Sequence, residues 1–167
     1  KHIALQTGIK VNTVVADYFM VNHILEENAS KQRKNLLVLK QLINHCALVD
    51  IPIVELPFVD SSSLSREQFT ELVDVLSPIC VFAKDKGIKI SFETALPPQD
   101  FRRLLEMFSP HLIYVNYDMG NSASLGFNPS EEIGVLGSYI INVHIKDRLL
   151  AGTTAVSYTH LTLPTKR

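Results

Sequence analysis

IKISFE, residues 88–93, alternates without a break: Ile88, Ile90 and Phe92 fall on one side of an extended chain, Lys89, Ser91 and Glu93 on the other. LIYVNYD, residues 112–118, repeats the split, with Ile113, Val115 and Tyr117 against Tyr114, Asn116 and Asp118. IINVHIKD, residues 140–147, repeats it again, with Ile141, Val143 and Ile145 against Asn142, His144 and Lys146. Each run reads as a strand with one apolar face and one that turns polar toward its C-terminal end. A doubly wound sheet lies under helices on both faces and would be apolar on both. The interior of a (β/α)8 barrel, whose sites are built at the C-terminal ends of its strands, has the face seen here. No glycine-rich phosphate loop follows any of the runs, which weakens the open-sheet alternative further. The expected fold class is therefore α/β, a partial (β/α)8 TIM barrel with parallel strands.

Two further β-rich runs, IKVNTVVAD from Ile9 and IPIVELPF from Ile51, precede these three. Helical patterns lie between them. Leu36, Leu39, Leu42, Ile43 and Cys46 recur at helical spacing, as do Phe69, Leu72, Val73, Leu76 and Cys80. Ser65 with Gln68 reads as a capping box and Gly87 as a helix C-terminal glycine. Phe101, Leu104, Leu105 and Phe108 mark a shorter helix, and Asn128, Pro129 and Glu131 start another. Strand then helix, repeated without hairpin signals, means parallel strands and right-handed crossovers.

The 167 residues, 46% hydrophobic and 20% charged, are enough for one globular domain. With 16 basic and 17 acidic residues the formal charge is −1, so neither nucleic acid nor an anionic membrane is an expected partner. Cys46 and Cys80 sit in apolar helical patterns and read as reduced core thiols of a cytoplasmic protein. No apolar run reaches the ~18 residues of a membrane helix. The chain opens on Lys1-His2, as a fragment would. VSYTHLTLPT, residues 156–165, looks like the translation of a sequencing-library adapter, so residues 1–155 are expected to form the domain and 156–167 to lie outside it.

Glu93, Asp118 and His144 share inward parity, a position at a strand end, and consecutive strands. Strands lie about 4.8 Å apart, so the three can converge on one ion. Two carboxylates and an imidazole suit a divalent metal such as Mn²⁺, Co²⁺, Mg²⁺ or Zn²⁺. Asp118 alone also reads as a turn residue or the cap of a following helix.

ADYFM at 16–20, VELPFVDSSSL at 54–64, FET at 92–94, VNYDMGNSASLG at 115–126 and VHIKDR at 143–148 together resemble the xylose isomerase-like barrels of sugar-phosphate isomerases and epimerases. The resemblance runs from about residue 9 to residue 154, and the five runs correspond to the family's third to seventh strands. It implies that Glu93, Asp118 and His144 ligate a divalent metal together with a glutamate of an eighth strand, which this sequence does not contain. It further implies proton abstraction from a ketose or ketose phosphate through a metal-stabilised enediolate, with Glu93 as one acid/base; the truncated chain itself would be inactive.

Glu55, closing its run with inward parity, would contact substrate or steady a metal ligand. Asn116 and Asn121 would face the substrate, the latter where several relatives carry histidine. Lys146 or Arg148 would reach a substrate phosphate or carboxyl oxygen. Asp147 points the other way, toward a loop or ion-pair role. Asp17, Tyr18 and Asp60 lie near the mouth, Asp60 more simply as a helix cap, whereas His23, His45 and His111 are not placed to bind metal. The expected partner is a small-molecule sugar or sugar phosphate, with a homo-oligomer open to the full-length parent. Two alternatives remain: a sugar-binding barrel without catalysis, and an endonuclease-IV-type abasic-site nuclease, whose metal cluster needs more histidines than the motifs supply.

Overall fold

The computed structural model describes residues 2–146, so the expectations for Asp147, Arg148 and the 156–167 tail lie outside the described residues. In chain order the elements are α1 (His2–Thr7), β1 (Thr13–Val15), α2 (Tyr18–Val21), α3 (Ala29–Val49), β2 (Ile53–Phe58), α4 (Phe69–Asp85), β3 (Lys89–Thr94), α5 (Pro98–Met107), β4 (Ile113–Asp118), α6 (Met119–Ser124), α7 (Pro129–Leu136) and β5 (Ile140–His144). Short 3-10 turns at Asp60–Ser62, Arg66–Gln68 and Gly137–Tyr139 join some of them. Each of the five β-rich runs thus holds a strand.

All strand pairs are parallel and the sheet order is β1-β2-β3-β4-β5. A doubly wound sheet reverses its order at a switch point; this one never does. Right-handed crossovers in an unreversed order put every helix on the same face, and the sheet curls around the other, which is how a barrel is built. Side-chain burial agrees. Val54, Leu56, Ile90, Phe92, Ile113 and Val115 on the helix-covered face join one core with Leu39, Ile43, Leu72, Leu76, Ile79, Leu104 and Leu105. The opposite face carries buried Glu55, Ser91, Glu93, Asn116 and Asp118.

The turn signals act as read, with two adjustments. The Ser65 amide donates to Gln68 Oε1 at 2.9 Å, and the box opens a 3-10 turn that runs into α4. At the other end Gly87, with φ +72°, donates to Lys84 O, while Ile88 donates to Ala83 O. These two bonds form a Schellman motif, which needs the left-handed conformation glycine adopts freely. Asn128 caps α7 by accepting from the Ser130 and Glu131 amides, but the Glu131 carboxylate accepts from Gln99 instead of reaching back to Asn128. Asp60 forms no side-chain cap, and its own φ is +49°. Glu55 does not close its strand: β2 continues three residues to Phe58, so Glu55 lies deeper in the curl than its run suggested.

Cys46 and Cys80 are unpaired and buried, and burial pushes the Cys80 thiol up to about 12. Among the described residues no helix is long and apolar enough to cross a membrane.

Candidate metal centre

Register decides which inward side chains meet. Phe92 pairs with Val115, which sets Glu93 beside Asn116. Between β4 and β5 the ladder shifts once, between Val115 and Asn116, so that Asn116 pairs with Asn142 and Asp118 with His144. The irregularity keeps Asp118 and His144 on the inner face together; bulges commonly re-aim side chains in this way.

The result is an imidazole among three carboxylates. His144 Nδ1 lies 3.5 Å from Glu93 Oε2 and 3.6 Å from Asp118 Oδ2, while Nε2 lies 3.3 Å from Glu55 Oε2. Ligand atoms of Glu55, Glu93 and His144 all fall within 4.8 Å of one another. Glu55 is fully buried, and neither of its carboxylate oxygens accepts a hydrogen bond. A buried carboxylate is costly unless a positive charge answers it; in the metal-free protein the His144 ring 3.3 Å away is that charge, and a bound cation would take its place once the ring is neutral. Oxygen or nitrogen ligands at about 2.0–2.2 Å from a cation lie roughly 3 Å apart when adjacent, and since a ring offers an ion one nitrogen, the His144 Nδ1 side with Glu93 and Asp118 at 3.5 and 3.6 Å comes nearer to that spacing than the set with Glu55, whose atoms are spread over as much as 4.8 Å. The residues present fit a divalent ion.

The electrostatics say the same. Contacts with Asp118, then Glu55 and Glu93, hold His144 protonated up to about 11, against the opposing effect of burial. Burial is the main cause that raises the Glu93 carboxyl, helped by the negative charges of Glu55 and Asp118 and opposed by His144. Burial would raise Asp118 too, but His144, Lys146 and the Asn121 amide outweigh it and hold that carboxyl well below its usual range. The cluster draws in positive charge.

This has a measurable consequence. In the metal-free protein the His144 pKa is raised above its unfolded value of ~6.5. The stability contributed by its charge is complete below that value and lost as the pH rises through about 11. A ligating histidine must be neutral, so Mn²⁺ binding near neutral pH should release about one proton. Titration calorimetry in two buffers of different ionisation enthalpy reads that proton, and identical heats in both would contradict it.

Of its three candidate jobs Asp118 performs the helix cap with one oxygen and keeps the other turned into the cluster. Its Oδ1 accepts from the Asn121 amide at 2.8 Å, capping α6, while Oδ2 faces His144 and lies 2.5 Å from Lys146 Nζ. The Asn121 side-chain amide donates to Glu93 Oε1, and Asn116 Nδ2 donates to Glu93 Oε2 at 3.4 Å and sits 3.2 Å from His144 Nδ1. Both asparagines, expected at the substrate, are here engaged in holding Glu93. Gly120 keeps Lys146 in reach: a Cβ added there would lie 2.5 Å from Lys146 Cγ and 3.0 Å from its carbonyl oxygen. Gly120→Ala should therefore destabilise the protein by about 1–3 kcal/mol, an overpacking cost, as read by urea denaturation. An unchanged midpoint would mean that Lys146 moves aside freely.

The structure brings together Glu55, Glu93, Asn116, Asp118, Asn121, His144 and Lys146; Arg148 lies outside the described residues. Sequence reasoning passed over Tyr117, Ser122 and Glu132, which form a buried group behind Asp118. A glutamate in the first turn of a helix gives no signal of burial.

Comparison with known proteins places this geometry in context. A family model described as xylose isomerase-like TIM barrel matches residues 2–162. Among solved structures, a xylose isomerase domain protein from Planctomyces limnophilus superposes with a TM-score of 0.73 at 20% identity, covering 93% of this chain and 61% of that one. A xylose isomerase-like TIM barrel protein from Mycobacterium smegmatis, in complex with magnesium, gives 0.69 at 17% identity, over 88% and 54%. The 3-keto-D-glucoside 4-epimerase of E. coli gives 0.71 at 16%, over 87% and 62%. This chain therefore spans about three fifths of the length of these structures, and at such identities the likeness is one of fold. No curated protein matches it.

Proposed function

Since the chain belongs to the xylose isomerase-like TIM barrel family, we propose that the full-length protein is a divalent-metal-dependent isomerase or epimerase of a ketose or ketose phosphate. The observation that carries this reading is the buried, hydrogen-bond-free carboxylate of Glu55 facing His144, with Glu93 and Asp118 on the other side of the same ring.

Glu93, Asp118 and His144 would hold the ion, and Glu55 would join them or fix the ring from its Nε2 side. When bound, a divalent cation supplies Lewis acidity to a ketose carbonyl and the hydroxyl beside it. Glu93 would take the proton from the hydroxyl-bearing carbon next to the carbonyl, using the carboxylate oxygen that does not hold the ion. Asn116 and Asn121 hold its two oxygens in place, so that one lone pair can be presented to the substrate. Lys146 balances the Asp118 charge and is the cation positioned to meet a substrate phosphate or hydroxyl oxygen. Arg148 is proposed for the same duty. Epimerisation needs a second acid/base on the opposite face of the sugar, a role the resemblance assigns to an eighth strand.

The test is solvent deuterium incorporation into the ketose carbon adjacent to the carbonyl, measured on the full-length protein with and without Mn²⁺, Co²⁺, Mg²⁺ or Zn²⁺. Metal-dependent exchange on at least one ketose or ketose phosphate is expected. Tight metal binding without exchange across such a panel would leave a sugar-binding barrel as the better account.

A further inference from the structure

The Asp118–Asn121 turn is held from behind by a carboxylate on a different helix. Glu132, in the first turn of α7, is 4% exposed, and both of its oxygens accept hydrogen bonds from hydroxyl groups. Tyr117 donates to Oε2 at 3.0 Å and Ser122 donates to Oε1 at 2.8 Å. Among the described residues no lysine or arginine pairs with it. Tyr117 immediately precedes Asp118 and Ser122 immediately follows Asn121, so one carboxylate ties down both flanks of a four-residue segment.

That segment carries the groups that set the site. Asp118 Oδ2 faces His144, the Asn121 amide fixes Asp118 Oδ1, and the Asn121 side chain engages Glu93. Packing holds it on the Lys146 side, where Gly120 is in close contact, but leaves a gap on the Glu132 side. A cavity of about 20 Å³ lies between Glu93 and Asp118 on one side and Ser122 and Glu132 on the other. Such a space is roughly that of a single water; Leu96, Phe101 and Leu136 close the rest of it, and the hydrogen bonds of Glu132 are the directed links across it. A buried carboxylate is a costly way to fill space, since an apolar residue would do so without desolvating a charge. Directed bonds to two hydroxyls are what it offers in exchange.

We propose that Glu132 is a positioning residue: from outside the barrel it sets the Asp118–Asn121 turn, and through it the orientation of the Asp118 and Glu93 carboxylates toward the bound cation. The proposal rests on the metal-centre reading above, and extends it to a residue that touches neither metal nor substrate. α6 alone, with six residues, is too short to hold its own geometry, because short isolated helices are marginal in water. Glu132 supplies the missing constraint.

The experiment compares Glu132→Ala and Glu132→Gln with the unaltered protein by two independent readouts, amide hydrogen exchange over residues 118–124 and Mn²⁺ affinity by calorimetry. Glu132→Ala should accelerate exchange of the Asn121 amide selectively, leave α3 and α4 protected, and weaken Mn²⁺ binding by about 10–100-fold, the usual range for a partner behind a metal ligand. Glu132→Gln can accept from one hydroxyl and donate to the other, and should return affinity to within about threefold of the unaltered protein. Asn121 exchange unchanged in Glu132→Ala, or accelerated no more than in α3 and α4, would overturn the proposal. If the unaltered protein binds no Mn²⁺ yet Glu132→Ala still loosens the turn selectively, the metal reading fails and the positioning role stands. Should Glu132→Ala not fold, Ser122→Ala, which removes one of the two hydroxyls, carries the same readouts.

Discussion

Glu93→Gln should lower metal-dependent proton exchange in the full-length protein by about 10³-fold or more, and weaken Mn²⁺ binding at the same time. The substitution keeps the shape of the side chain and removes two functions together. A positioned general base contributes about 10²–10⁴-fold to a proton transfer, and an amide cannot serve as one. The charge is also one of three that hold His144 protonated in the metal-free protein. The amide group would further confront two donors, since Asn116 Nδ2 and the Asn121 side chain both point at the Glu93 oxygens. One of those contacts becomes donor against donor unless the Asn116 amide turns to present its unpartnered Oδ1, so the site should rearrange as well as lose charge. Calorimetric titration with Mn²⁺ and deuterium incorporation into a ketose separate the two losses. Exchange retained within threefold would remove Glu93 from the chemistry.

The parity of three short runs was enough to place Glu93, Asp118 and His144 on one face, because the period of a strand is two and does not depend on what packs around it. The parallel, unreversed order followed from strand–helix alternation and from polar groups gathering at one end of each strand. What could not be read locally depends on distant neighbours. Parity alone reads Glu55 as closing its strand, yet β2 pairs with β3 through Pro57 and Phe58, which carries the strand past it and leaves Glu55 buried. The single register shift between β4 and β5 belongs to two strands 22 residues apart in order and has no signature in either. Glu132 and Glu131 are adjacent and chemically alike, but one is buried against Tyr117 and the other exposed beside Gln99, a difference fixed only by how α7 docks.

Asp118 shows how a local role and a proposed role in the site can share one side chain. A carboxylate has two oxygens, so capping a helix and facing a cation are compatible when the strand ends where the helix begins. The helix cap fixes the direction of Oδ1, and by rotation about one bond it also fixes Oδ2. The orientation of the site is thus inherited from the local structure that follows it.

The largest loss of stability should come from the neighbour of Glu93 on the opposite face. Phe92 is fully buried and meets Phe58 and Phe108 edge-on, with ring centroids 4.9 and 5.9 Å away. Phe92→Ala removes the ring from between β2 and the end of α5, and should cost about 3–5 kcal/mol, the range for deleting a buried aromatic side chain. Edge-to-face pairs add about 0.5–1.5 kcal/mol beyond burial, so the upper half of that range is the better expectation when both ring pairs are removed. Against a total stability of about 5–15 kcal/mol for an ordinary domain, that is enough to unfold a marginal one. Urea denaturation followed by circular dichroism measures the change. The site should suffer before the fold does: Phe92 and Glu93 are consecutive on β3, so a strand that settles toward the cavity withdraws Glu93 from His144. A Phe92→Ala protein that unfolds within 1 kcal/mol of the unaltered one would place the hydrophobic core elsewhere, and the polar face of β3 would then lose its claim to be the inside of a barrel.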